Sequence, residues 1–263
     1  MMTILIRKNK KGVAYITLNR PEVHNAFNSK MIAELKSVFD ELNDCPNTHI
    51  VVLSGAGPSF SAGADLEWMK KAANYSHDKN LNDAMMLSDM LDAFYRLKQL
   101  TITCVHGACM GGALGLVSCS DVSVAERESN FGFSEVKIGL IPATISPFVI
   151  KAIGANWAKR YFQTGEAFST ETALRIGLIH QAFNSESERE KLIDDLINKV
   201  AANSPQAMKD AKKLVLNYDG LPITDEVRHD SAKRIVSARS SIEGQEGLNA
   251  FLNKRKPDWK KDV

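Results

Sequence analysis

Ile50-Val51-Val52-Leu53, followed by Gly55-Ala56-Gly57-Pro58, reads as a short β-strand closed by a turn. Four consecutive apolar residues, three of them β-branched, suit a strand covered on both faces, as in a parallel sheet. The same pattern recurs at Ile102 to Val105 and at Asp121 to Ala125. Val13 to Leu18 alternates instead and is broken by Asn19-Arg20-Pro21. Between these runs, apolar residues fall at helical spacing over Met31 to Leu42 and along Met86, Leu87, Met90, Leu91, Phe94 and Leu97. Strands alternating with helices predict an α/β fold with parallel pairing. After Gly165 the pattern turns helical, with stripes through Leu192, Ile193, Leu196, Ile197 and Val200, and through Ala207, Met208, Ala211, Leu214 and Val215. We therefore expect a core over residues 1–190 and a helical region over 191–263. Its wide apolar faces suit either subunit contact or packing on its own core.

The chain has 263 residues, 44% of them hydrophobic and 24% charged, which is enough for a large core without covalent staples. A net charge of +2 offers no global field for nucleic acid or an anionic membrane. No stretch approaches the roughly 18 apolar residues of a membrane span. The run in Met1 to Lys10 is too short for a secretory signal, and its basic residues follow the apolar ones. A cytoplasmic protein is expected. Cys45, Cys104, Cys109 and Cys119 form no C-x-x-C pair and read as reduced thiols. H-E-x-x-H, G-x-S-x-G and the phosphate-cradling G-x-x-x-x-G-K-S/T are all missing, and the six histidines are scattered. Neither a metal nor a cofactor is expected.

Two loops carry chemistry. Ser61-Ala62-Gly63-Ala64-Asp65 follows the strand ending at Leu53, and Gly107-Ala108-Cys109-Met110-Gly111-Gly112 follows the strand ending at Val105. In each, small residues precede a helix, so ligand atoms can approach backbone amides that point outward. Two such amides converging on one oxygen make an oxyanion hole, which a thioester carbonyl needs as it becomes an enolate. Taken singly, either loop reads as a tight turn, and Asp65 as an N-cap.

Five blocks in order decide between these readings. Asn19-Arg20-Pro21…Asn25-Ala26-Phe27, Phe60 to Asp65, Gly107 to Asp121, Phe131 to Pro142 and Phe251 to Pro257 together resemble the crotonase (enoyl-CoA hydratase/isomerase) family. The resemblance implies a ββα spiral core with a helical C-terminal oligomerisation region. It implies oxyanion donors at the backbone of Ala64 and Gly112, and Glu135 as the catalytic carboxylate. Ala26 and Ala62 would touch coenzyme A through their main chains. Ala64, Asp65, Leu66 and Glu67 would line the thioester, and Lys254 would meet the phosphates, although a solvated lysine in a basic tail is as good a reading. The substrate would be an acyl-CoA thioester, with coenzyme A as part of it. The assembly would be a homotrimer or a dimer of trimers, with neither nucleic acid nor membrane as partner.

The chain departs from that pattern at Gly115, where hydratases of the family commonly place a second glutamate. Glu135 is thus the single carboxylate of the usual pair, and its apolar neighbours Phe131, Phe133, Val136 and Ile138 should raise its pKa. One base suffices for an isomerase, which takes a proton from C2 and returns it at C4. One base can also serve a hydratase, and a protein that binds acyl-CoA without turnover is the third reading. Pro142 to Phe148, Ser61 to Met69 and Gly111 to Leu116 are similar to a bacterial subgroup of methylglutaconyl-CoA hydratases. Gly115 is expected to leave space for a methyl branch at C3 and to spare a distal substrate carboxylate the repulsion of a second glutamate, the other reading being a helix residue with no part in selectivity. Trp68 and Met69 are expected either to wall the acyl pocket or to pack on the core.

Overall fold

The computed structural model of the chain describes residues 2–9 and 11–260; Met1, Lys10 and residues 261–263 lie outside the described residues. The chain divides into one compact unit up to residue 191 and a second from residue 192. In the first unit the strands are β1 (Ile4–Lys8), β2 (Val13–Leu18), β3 (Ile50–Gly55), β4 (Leu100–Val105), β5 (Ala108–Met110), β6 (Val122–Glu126), β7 (Asn130–Gly132), β8 (Ala167–Ser169) and β9 (Gln181–Phe183). The helices are α1 (Ser29–Asn43), α2 (Leu66–Ala72), α3 (His77–Tyr95), α4 (Gly112–Cys119), α5 (Ser146–Thr164) and α6 (Thr170–Arg175). The division falls within α7 (Glu186–Ala201).

The larger sheet has the order β1-β2-β3-β4-β6-β9, parallel throughout except for the β1–β2 pair. The smaller has the order β5-β7-β8. Successive turns of chain give one strand to each sheet and then a helix: β4, β5 and α4, then β6, β7 and α5. This is a ββα spiral. Ile50 to Leu53 are all buried, as the unbroken apolar run requires. Helix α1 lays Met31, Ile32, Leu35, Phe39 and Leu42 into the core, and the Asn28 side chain caps it by accepting from the Met31 amide. Phe39 stacks on Phe94 of α3 at 4.7 Å. Helix α4 is apolar all round because it is enclosed all round; Ala113, Leu114, Leu116 and Val117 are buried. Each fully buried side chain of leucine or phenylalanine size contributes about 1.5–3 kcal/mol.

The second unit holds α8 (Pro205–Tyr218), α9 (Asp225–Ser240) and α10 (Ile242–Leu252). One strand is new and two expectations are corrected. Strand β1 lies within the N-terminal run, where the sequence suggested no element. The region after Gly165 is not purely helical, since β8 and β9 add one strand to each sheet. Both have only three residues, too few for a period-two signal. Asp121 precedes β6 rather than opening it; its carboxylate accepts from the Thr101 amide at 2.8 Å and anchors the start of β4. Among the described residues, no helix is long and apolar enough to cross a membrane.

Candidate active site

Three loops that leave the larger sheet run side by side. Phe27 bridges Ala64 in parallel register, and Ser61 bridges Cys109. The Phe27 amide donates to the Gly63 carbonyl at 2.6 Å, and the Asp65 amide donates to the Phe27 carbonyl at 2.9 Å. The Ser61 amide donates to Ala108 at 3.1 Å, and the Met110 amide to Ser61 at 3.0 Å. The Gly111 amide donates to Gly132 at 2.9 Å. These amides are thereby committed to neighbouring loops. Those of Ala64 and Gly112 have no hydrogen-bond acceptor among the described residues. Ala64 is exposed, and Gly112 is half-buried as the first residue of α4. Both amides are of the kind an oxyanion recruits.

Gly111 connects the two donors to the carboxylate. Its backbone has φ 52° and ψ −123°, a region open to glycine and costly for other residues. A Cβ there would lie 3.2 Å from Glu135 Oε1 and 4.0 Å from the Gly63 Cα. The residues carrying the donors, Ala64 and Gly112, are the next residues after Gly63 and Gly111. Glu135 opens a 3₁₀ turn over Glu135–Ile138 and is half-buried. Its Oε2 is closed off from solvent and has no hydrogen-bond partner among the described residues. Burial pushes its carboxyl above the ordinary carboxylate value, opposed by its own backbone amide. Such a carboxylate takes and gives a proton closer to neutrality than a solvated one.

Asp65 is the N-cap of α2; its Oδ1 accepts from the Glu67 and Trp68 amides at 2.9 and 3.0 Å. Its Oδ2 accepts from Arg20 Nη2 at 2.8 Å. Burial works to raise the Asp65 carboxyl, but the Arg20 hydrogen bond and the two capping amides hold it below its ordinary value. Arg20 and Asn25 are residues to which sequence reasoning gave no role of their own. Arg20 figured only in a strand break and in the first family block, since its low exposure and its partner 45 residues away are features of the fold.

Ala26 is buried; its carbonyl accepts from Arg20 Nη1 at 2.6 Å and its amide donates to Val23 at 3.1 Å. Ala62 is exposed; its amide donates to His24 at 2.8 Å, and its carbonyl accepts no hydrogen bond among the described residues. Leu66 is exposed, and the Glu67 side chain pairs with Lys70 at 2.6 Å. Lys254, in the second unit, is exposed and has φ 52°. Trp68 is half-buried against the core, and its indole N–H donates to Asp83 at 3.1 Å.

Gly115 does not leave open space. A Cβ there would fall 2.7 Å from Ile145 Cγ2 and 3.1 Å from both methyls of Leu91. The glycine is the small member of a filled contact between α4, α3 and the residue before α5. Expecting room for a substrate branch at this position was therefore wrong. Residue size along one helix does not reveal what packs across from it. Among the described residues, no group of three or more His, Cys, Asp or Glu side chains is placed to hold a metal ion.

Residues 8–262 match the family model described as "Enoyl-CoA hydratase/isomerase". The chain is 39% identical to an enoyl-CoA hydratase of Shewanella pealeana of known structure, with a TM-score of 0.94 over 98% of this chain and 96% of that one. A putative enoyl-CoA hydratase/isomerase (crotonase) structure from Legionella pneumophila is 36% identical, with a TM-score of 0.92 over 98% of this chain and 99% of the other. A putative enoyl-CoA hydratase of Thermus thermophilus is 30% identical over 96% of this chain and 99% of its own length. With its ββα spiral and helical C-terminal region, the chain belongs to the enoyl-CoA hydratase/isomerase family of enzymes.

Proposed function

We propose that the chain is an enoyl-CoA hydratase that adds water across the 2,3 double bond of an acyl-CoA thioester. The carrying observation is the meeting of two uncommitted amides, Ala64 and Gly112, with the half-buried carboxylate of Glu135 around Gly111. The two amides hold the thioester oxygen as negative charge builds on it. Glu135 takes a proton from water as the hydroxyl bonds to C3 and the double-bond electrons move onto the thioester oxygen; as that enolate collapses, Glu135 returns the proton to C2. The names of the Shewanella and Thermus relatives support hydration over migration. Ala62 serves coenzyme A through its main-chain carbonyl, free among the described residues, and Ala26 has only the second lone pair of its Arg20-bonded carbonyl to offer. Residues Ala64 to Glu67 run along the thioester, and Lys254 meets the phosphates of a coenzyme A bound by a neighbouring subunit. The substrate supplies the only coenzyme.

Within this class, 3-methylglutaconyl-CoA of leucine breakdown is the candidate favoured by the composition of the loops. Gly115 lends it no support, being packed against Ile145 and Leu91. A homotrimer or dimer of trimers is part of the proposal; Ile223, Ile242 and Phe251 of the second unit are 86%, 90% and 81% exposed, side chains that a subunit contact would cover. A monomer by light scattering at micromolar concentration would remove it.

Double-bond migration is the second reading. It is favoured by the apolar filling at Gly115, which leaves Glu135 without a second carboxylate on α4. A mass-resolved turnover panel over straight-chain, branched and carboxylated enoyl-CoAs separates the readings. Hydration adds the mass of one water, migration shifts the double bond at constant mass, and binding without turnover defeats both.

A further inference from the structure

The Arg20 guanidinium spans two of the three site loops. Its Nη1 donates to the Ala26 carbonyl at 2.6 Å and its Nη2 to Asp65 Oδ2 at 2.8 Å. The side chains of Arg20 and Asp65 are only 16% and 10% exposed. A planar fork of two nitrogens fixes the separation of the two acceptors, which a single ammonium does not. The mount of the fork is itself fixed. Asn25, fully buried, accepts from the Arg20 amide and donates its own amide to the Arg20 carbonyl, both at 2.8 Å. The Asn25 side-chain amide donates to the carbonyls of Ala56 and Ser59, each at 2.8 Å. Arg20 is thus held rigidly on one side and holds Ala26 and Asp65 on the other.

Ala64 lies inside this frame. Ala26 precedes Phe27, whose amide and carbonyl bond to Gly63 and Asp65 on either side of Ala64. Asp65 follows Ala64 and starts α2 through its other oxygen. Capping α2 requires only Oδ1 and no arginine. Burying an ion pair costs desolvation, which well-packed apolar residues avoid. What the pair adds is a fixed spacing between the 26–27 and 63–65 backbones, and so a fixed direction for the Ala64 N–H.

We propose that Arg20 is a positioning residue for the oxyanion donor Ala64, acting through Ala26 and Asp65. The proposal rests on the reading of Ala64 as a donor. Hydrogen bonds to a thioester carbonyl lower its stretching frequency, so the donor's aim is readable apart from stability. The probe is butyryl-CoA labelled with ¹³C at the carbonyl, a saturated thioester that does not react, bound to the full-length protein and followed by isotope-edited infrared difference spectroscopy.

In the wild type the bound carbonyl band is expected to lie below that of free butyryl-CoA. In Arg20→Gln the downshift shrinks, and in Arg20→Lys, which keeps the charge without the fork, it is intermediate. With an enoyl-CoA substrate, kcat of Arg20→Gln falls roughly 10- to 100-fold, the scale of a slightly misplaced reacting group, while KM changes much less. Circular dichroism establishes folding, and if Arg20→Gln does not fold, the Arg20→Lys spectrum decides. A full wild-type downshift in a folded Arg20 variant would overturn the positioning role while leaving Ala64 as a donor. No downshift in the wild type would overturn the donor reading, and the proposal with it.

Discussion

The Glu135 carboxylate rests against the one face of Gly111 where a side chain would stand, with Oε1 3.2 Å from the position of a Cβ. Gly111 also adopts a φ of 52°. The glycine thus shapes the loop and seats the carboxylate at once. Gly111→Ala is expected to push Glu135 out of place and to strain the loop by about 1–3 kcal/mol. Turnover should fall by an order of magnitude or more in a protein that still folds. Steady-state kinetics beside a thermal melt measures both, and a folded variant with wild-type kcat would detach Glu135 from Gly111.

Glu135 sets a pH dependence whose sign follows from its burial. Its folded pKa lies above the ordinary 4.5, so the folded state holds this proton more tightly than the unfolded chain. The stability linked to it is complete below about pH 4.5 and is lost as pH rises through the raised value. Glu135→Gln is neutral throughout. It should therefore melt above the wild type at pH 7 to 8, and the gap should close toward pH 4. An equal difference at all pH values would mean that Glu135 ionises like a solvated glutamate.

The Gly112 amide can be deleted without fighting its helix. Gly112 is the first residue of α4, the one helical position that proline favours. The added Cβ would sit 3.3 Å from Phe27 Cδ2, a contact that a small ring shift relieves. Gly112→Pro should retain its circular dichroism and lose about 100-fold or more in kcat, the usual result of removing one oxyanion donor. A folded variant with unchanged kcat would move the donor elsewhere.

Gly115 offers a prediction opposite to helix propensity. Alanine normally stabilises a helix by up to about 1 kcal/mol relative to glycine. Here its methyl would press on Ile145 and Leu91, and overpacking costs about 1–3 kcal/mol. Gly115→Ala should lower the melting temperature, and the drop should be smaller in an Ile145→Ala background, which lacks the Cγ2 atom that the new methyl meets. Gly115→Glu should be worse still, since it adds a buried charge. A Gly115→Ala melt above the wild type would show the contact to be slack.

Some of this was legible in the sequence. Strands β2, β3, β4 and β6 announced themselves as β-branched runs because both faces or alternate faces are covered. Strands β5, β7, β8 and β9 have three residues each, and pairing rather than composition makes them strands. Glu135, Ala64 and Gly112 stood in recognisable blocks because their chemistry depends on local backbone shape. The Arg20–Asp65 pair joins residues 45 positions apart, and the filling of Gly115 comes from two other segments. Neither relation leaves a periodic trace along the chain.

The most direct test of hydration through Glu135 is turnover of a 2-enoyl-CoA in water enriched in ¹⁸O, followed by mass spectrometry of the thioester. The account predicts a product that gains one heavy-oxygen water in the wild type, and loss of most of that product in Glu135→Gln while thioester binding persists. An isomer of unchanged mass, or a hydrated product formed equally fast by Glu135→Gln, would contradict it.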